Sequence, residues 1–142
     1  MNKSPLIDTT ELDLNLIYEE RIGDIIFLIG TILALISTYQ AAGSIINKLF
    51  FNIKSSPDNS AFTITAASWL FLISSFAFAH VAIIRYNTIS ITDPNVTPLT
   101  LKGSKITALG NIIKVVGFGL AAIGNQLKLS GSSPGGPTII SQ

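Results

Sequence analysis

Three long apolar runs constrain the fold of this chain more than any other feature. They cover residues 22–46, 61–84 and 106–124, and the first contains a single charged residue, Asp24, near its start. A helix needs about 20 mainly apolar residues to cross a hydrocarbon core roughly 30 Å thick. The first two runs exceed that length, whereas the third is interrupted by an asparagine and a lysine and meets it narrowly. We therefore expect two membrane-spanning helices and a third that only just satisfies the requirement.

The composition agrees with a membrane protein. Only 12% of the 142 residues are charged, whereas soluble domains carry about 25%, and the mean hydropathy is +0.55. A net charge of +1 gives no basic surface for nucleic acid, and the absence of cysteine excludes disulfides and thiolate metal sites. We expect an all-α, multi-pass transmembrane helical bundle in a cell membrane, without a metal, a cofactor or a nucleic-acid partner.

Changes in composition predict the organisation of the chain. Residues 1–21 are acidic, unlike the basic start of a signal peptide, and we expect a short helix at the membrane surface there. A membrane domain follows over residues 22–129, and a Gly/Ser/Pro-rich tail over residues 130–142 is expected to be disordered. Within the membrane domain we expect helices over residues 22–50, 60–85 and 103–128, with an extended loop over residues 86–102.

Each apolar run carries a small residue at every seventh position. A step of seven residues drifts only about 20° around a helix, so each set forms a stripe along one side. Lipid tails are as apolar as leucine, and helices in membranes therefore associate through close packing and hydrogen bonds that small residues permit. We expect these stripes to be helix-packing interfaces, although small residues are common in membrane helices and such runs also arise by chance. The positions are Gly23, Gly30, Ser37, Ser44, Ala61, Ser68, Ser75, Ala82, Gly103, Gly110, Gly117 and Gly124.

The first and third runs also share a longer pattern. Residues 22–30 read IGDIIFLIG and residues 109–117 read LGNIIKVVG, and the similarity continues into TILALIS and FGLAAIG. The two helices are therefore versions of one element and run parallel if all three runs cross the membrane. Parallel repeats of this kind suit either pseudo-symmetric packing within one chain or stacking between copies.

Four polar residues within or near the apolar runs are candidates for a role in the membrane: Asp24, His80, Asn111 and Lys114. A lysine near the middle of a span costs about 2.5–3.5 kcal/mol on insertion scales, so Lys114 needs a partner or access to water. The repeat suggests an ion pair with Asp24. The alternatives are a third helix that lies in the membrane interface, or a polar pore lined by Asn111 and Lys114 from several chains.

No catalytic constellation accompanies these residues. A lone histidine such as His80 is more often an interface residue than a ligand or a proton relay. The sequence contains no nucleophile elbow, phosphate-binding loop or zinc-protease motif. We therefore expect no enzymatic activity.

The runs LGNIIKVVGFGLAAIGNQLKL and IGDIIFLIGTILALIS resemble small, repetitive, uncharacterised membrane proteins of Bacillus-type bacteria. Those proteins repeat apolar-Gly-x-x-apolar heptads, often with Gly-Asn, as in Gly110-Asn111 and Gly124-Asn125 here. The resemblance covers about 40 residues and excludes the middle run and the acidic start. It implies no activity, because such proteins have none assigned.

The function that these features favour is structural. We expect a non-enzymatic membrane protein that self-assembles, or docks to a membrane-protein partner, through its small-residue stripes, with lipid around it. A holin-like or other pore-forming protein is the alternative, although holins typically end in a basic tail and this chain does not. A transporter would rest only on Lys114, Asp24 and His80.

Overall fold

The computed structural model describes residues 5–51, 59–92 and 96–131, which form three α-helices and, within those ranges, no strand. Helix α1 covers Pro5–Phe50, α2 covers Ser60–Thr92 and α3 covers Pro98–Gly131. All three are long and apolar enough to cross a membrane, including the third, for which the sequence was marginal. The expected all-α helical bundle is confirmed.

Local side-chain chemistry explains where two of the helices begin. The carbonyl of Asn59 accepts the N–H of Thr63 at 3.0 Å, which places Asn59 at the cap of α2. Thr97 caps α3, because its Oγ1 accepts the N–H of Thr100 at 3.2 Å and Pro98 occupies the first helical position. A proline is favoured there because its missing N–H would have no partner in the helix.

Two expected boundaries were wrong. The segment 86–102 is largely helical rather than extended, since α2 continues to Thr92 and α3 begins at Pro98. Its alternating Ile, Ser and Thr residues resemble a strand, but intrinsic propensity is a weak preference that a continuing helix overrides. The first helix likewise begins at Pro5 rather than at residue 22, so the acidic segment and the first apolar run form one continuous helix, with no proline between Pro5 and Phe50 to interrupt it. The expected disordered tail lies outside the described residues from position 132 onward.

Helix α2 occupies the centre of the bundle and runs antiparallel to both neighbours. It packs along α1 on one side and along α3 on the other, while the backbones of α1 and α3 stay apart. These outer helices meet through phenylalanine rings at mid-height. The ring centroids of Phe27 and Phe71 are 4.9 Å apart, those of Phe71 and Phe118 5.4 Å, and those of Phe27 and Phe118 6.2 Å. Such tilted contacts suit the aromatic quadrupole.

The interior consists almost entirely of small and hydroxylated residues, while the large apolar side chains point outward. The buried residues include Ala67, Ala79, Ala122, Ser74 and Ser75. Most of the buried hydroxyls are satisfied within their own helix, as where Ser75 Oγ donates to the carbonyl of Leu72 at 2.7 Å. This inside-out pattern is consistent with a surface that lipid covers, because a water-soluble protein rarely exposes large apolar patches.

The α1–α2 packing predicts a selective effect of adding one methyl group. A Cβ atom on Gly30 would lie 3.0 Å from the ring of Phe71 and 3.3 Å from the backbone oxygen of Ala67. We expect Gly30→Ala to lower the free energy of unfolding in mild detergent by about 1–3 kcal/mol, as overpacking does.

Gly43→Ala is the matched control on the same helix, since a Cβ there would meet no atom of the described chain within 4 Å. It should be neutral or stabilise by up to about 1 kcal/mol through helix propensity. Equal thermal stability of the two variants would contradict the packing.

Candidate functional site

The small-residue stripe of α1 faces α2 and is filled by it. Gly23, Gly30 and Ser37 are buried, and Ser44 is half-buried. A Cβ on Gly23 would lie 3.1 Å from the ring of Phe78, which leaves room for hydrogen but not for a methyl group. Ser37 Oγ donates to the backbone carbonyl of Ser60 at 2.9 Å. The α1 stripe therefore lies inside the chain and is not available to another molecule.

The stripe of α2 is also internal. Ser68 and Ser75 are buried, and Ala61 and Ala82 are half-buried. Ser68 Oγ accepts a hydrogen bond from Asn125 Nδ2 at 2.7 Å, and Thr65 Oγ1 lies 3.2 Å from the carbonyl oxygen of Asn125, to which it donates. These contacts fix α3 against α2 at one level of the bundle.

The glycine stripe of α3, in contrast, packs against nothing in the described chain. Gly103, Gly110 and Gly117 are exposed and Gly124 is half-exposed. A Cβ on any of the four would meet no atom of the described residues within 4 Å. The side of α3 that faces α2 is a second set at the same spacing, Ala108, Val115 and Ala122. That the glycine stripe forms an interface therefore stays a prediction, and the partner at such an interface would be another molecule.

An exposed ridge of large side chains runs along the outer side of α2, and the sequence reading missed it. Phe62, Trp69, Phe76 and Ile83 are seven residues apart and remain 65%, 41%, 57% and 37% exposed. Trp69 is fixed in place because its Nε1–H donates to Gln126 Oε1 at 3.4 Å. The spacing of seven residues between these large side chains is the sequence feature that predicts the ridge. We call these four residues the aromatic ridge.

Two charged contacts join α1 to α2 near the start of α1. A hydrogen bond of 2.7 Å links His80 Nδ1 to Glu19 Oε1, and Arg85 Nη2 donates to Glu20 Oε2 at 2.7 Å. Sequence reasoning placed His80 as a lone interface residue and missed both contacts. The antiparallel pairing of the first two runs was the signal, since it brings the end of α2 to the start of α1.

The expected ion pair between Asp24 and Lys114 is wrong. Asp24 is exposed, and among the described residues no ion pair joins it to Lys114. Asp24 follows Gly23 directly and so lies about 100° around α1 from the side that faces α2. Lys114 instead bonds within α3, and its Nζ donates to Asn111 Oδ1 at 3.4 Å.

The arrangement offers surfaces for association and no cluster for metal chemistry. Within the ranges that the structure describes, no group of three or more His, Cys, Asp or Glu residues could hold a metal ion. The chain matches no protein-family model, and neither a curated protein nor a solved structure matches it. What remains to be explained is the pair of open surfaces, the glycine stripe of α3 and the aromatic ridge of α2.

The hydrogen bond between Ser68 and Asn125 is open to a quantitative test. We expect a double-mutant cycle of Ser68→Ala and Asn125→Ala, measured by unfolding in mild detergent, to give a coupling free energy of about 0.5–2 kcal/mol. The control cycle combines Ser68→Ala with Gln126→Ala, whose side chain bonds Trp69 instead. A coupling of zero in the first cycle would contradict this contact.

Proposed function

We propose that this chain is a non-enzymatic, multi-pass protein of a bacterial cell membrane that assembles with copies of itself as a structural or accessory subunit. The glycine stripe of α3 in one copy receives the aromatic ridge of α2 from the next copy. The observation that supports this is that both surfaces repeat every seven residues, one as a row of gaps and the other as a row of large side chains.

The packing of α1 on α2 provides a precedent within the chain. There the aromatic residues Phe71 and Phe78, seven apart on α2, sit on Gly30 and Gly23, seven apart on antiparallel α1. Gly110 and Gly117 occupy the positions of Gly23 and Gly30 in the sequence repeat, yet they have no aromatic partner in the described chain. The repeated glycines are thus covered by aromatic rings in α1 and uncovered in α3.

The depths of the two surfaces agree for copies that lie side by side in one membrane. The Ser68–Asn125 hydrogen bond fixes which residues of α2 and α3 share a level. Because the two helices are antiparallel, each residue forward along α2 corresponds to one residue back along α3. Trp69 therefore lies level with Gly124, Phe76 with Gly117 and Ile83 with Gly110. Each pair is separated from the next by seven residues, roughly 10.5 Å along a helix. Two neighbouring copies can therefore join the stripe to the ridge while they lie at the same depth in the membrane.

The proposed contact uses different surfaces on its two sides. It is therefore heterologous, so repeated copies form a closed ring or an extended array according to the angle between them. In lipid the gain comes from close packing around the glycines rather than from burial of apolar area. The ridge residues suit this role because aromatic side chains have few rotatable bonds to immobilise.

The mass of the purified protein in mild detergent tests this proposal. We expect a defined oligomer for the parent chain and a monomer for Gly110→Leu/Gly117→Leu, in which leucines fill the gaps. Phe76→Ala on the aromatic ridge, which is the other side of the proposed contact, should weaken the assembly as well.

Gly43→Leu is the control, because it adds the same side chain to another open glycine outside the proposed contact. It should keep the parent's mass. A monomeric parent, or an oligomer that survives both stripe and ridge variants, would contradict self-assembly through these surfaces.

A pore-forming function is tested with the same material. One flank of the stripe is large, apolar and exposed, with Ile113 and Leu120 on it, while the exposed Thr107 and Lys114 lie on the other flank. The proposed contact fills the stripe with the aromatic ridge and leaves no continuous polar lining for water, so we expect the assembled protein to leave dye-loaded vesicles intact. Leakage by the parent that is lost in Gly110→Leu/Gly117→Leu would favour the pore instead.

A further inference from the structure

A cavity of about 550 Å³ opens among the three helices at the end of the bundle where α1 begins. Its polar side is formed by Glu20, Arg85, Asn111 and Lys114, with the hydroxyls of two further α3 residues beside them. This volume lies within the range of small-molecule sites, about 300–1,000 Å³. Gly103, the first residue of the glycine stripe, also lines it, whereas no residue of the aromatic ridge does.

The charges that line the cavity leave one cation uncompensated. Glu20 and Arg85 neutralise each other through their 2.7 Å contact. Lys114 has no ion pair within the described part of the chain, and its hydrogen bond to Asn111 is long at 3.4 Å. An ammonium carries three donors, so two remain unused here. Because a lysine inside a span is costly, an anion in the cavity would offset the cost of placing it there.

The donors around Lys114 suit a phosphate better than a simple halide. The amide of Asn111 and the hydroxyls of Ser104 and Thr107 line the same cavity. These residues bring several hydrogen-bond donors to one cavity, and a phosphate offers several acceptor oxygens to match them. The Glu20 carboxylate is held by Arg85 and restricts the site to a ligand of low charge.

The opposite wall of the cavity is hydrocarbon. Phe78, Val81, Ala82 and Ile89 of α2 provide it. The cavity also lies at the end of the bundle that carries the Glu19–His80 and Glu20–Arg85 contacts. Lys102 and Lys105 are exposed on the first turns of α3 nearby and add positive charge, which attracts anionic lipid.

We infer that this cavity binds the phosphate head of an anionic membrane lipid, with Lys114 as the charge partner and the α2 wall against the start of the acyl chains. The same phosphate chemistry is available from soluble phosphate, which lacks the hydrocarbon that the α2 wall would contact. If the ligand is a lipid, binding therefore requires both its phosphate and its acyl chains.

Thermal unfolding of the full chain in mild detergent, titrated with phosphatidylglycerol, tests the inference. We expect the lipid to raise the midpoint of unfolding of the parent, as a ligand that binds only the folded state does. Phosphatidylcholine, which has no net charge, should raise it far less. Lys114→Met should weaken the apparent affinity for phosphatidylglycerol by about tenfold or more, which corresponds to the loss of one charge-assisted contact.

Two variants keep this test interpretable. Lys114→Arg retains the charge and should retain most of the lipid effect, so a loss in Lys114→Met cannot be attributed to damage at that position in general. Lys128→Met removes a lysine near the far end of α3 and should behave as the parent does. An equal shift in the parent and Lys114→Met, or no shift with phosphatidylglycerol, would overturn the inference. A shift of the same size with inorganic phosphate alone would overturn the lipid as its source.

Discussion

The seating of phenylalanine rings from α2 on glycines of α1 is the interaction on which the rest of the bundle depends. Gly23 and Gly30 lack the Cβ atoms that would collide with Phe78 and Phe71, and the two helices therefore approach closely along several turns. In lipid this closeness matters more than burial of large apolar side chains, because hydrocarbon surrounds the helices in either case. The consequence is an interior of alanine and serine and an exterior of isoleucine, leucine and phenylalanine. It also places α2 at the centre, which keeps α1 and α3 apart and leaves one side of each without a helix partner in the described chain.

Polar groups are distributed to fit the same environment. Most buried serines and threonines donate to carbonyls of their own helix, so they add little polarity to the interior. Two side chains reach across to α2 instead: Ser37 of α1 donates to the Ser60 carbonyl, and Asn125 of α3 donates to Ser68. The Glu19–His80 and Glu20–Arg85 contacts lie together at the end of the bundle where Glu19 and Glu20 meet α2. A polar contact in lipid is hard to exchange for water, and these few groups therefore define the relative heights of the helices more strictly than the apolar packing does.

Hydropathy and period were enough to predict three helices, and the seven-residue spacing correctly identified small residues as the ones that lie between helices α1 and α2. They could not identify which side of α3 faces α2, because Ala108 and Ala122 repeat at the same interval as the glycines and differ from them only by a methyl group. The Asp24–Lys114 ion pair was predicted wrongly because the sequence repeat relates α1 and α3 by position along the helix. It does not show which side of each helix faces the other. The Glu20–Arg85 contact depends on the register between α1 and α2, which hydropathy and spacing do not give. The aromatic ridge was present in the sequence as a period of seven and could have been found there.

Disulfide cross-linking between two single-cysteine variants tests the central claim most directly, namely that the open stripe of α3 receives α2 of another copy. The chain contains no cysteine, so every cross-link reports the introduced positions alone. Phe76→Cys and Gly117→Cys chains would be tagged differently, produced together and oxidised mildly in the membrane. The account predicts a mixed dimer for this pair and little for Phe76→Cys with Gly43→Cys, because Gly43 lies on α1 outside the proposed contact. Equal yields for the two pairs, or no mixed dimer in either, would contradict it.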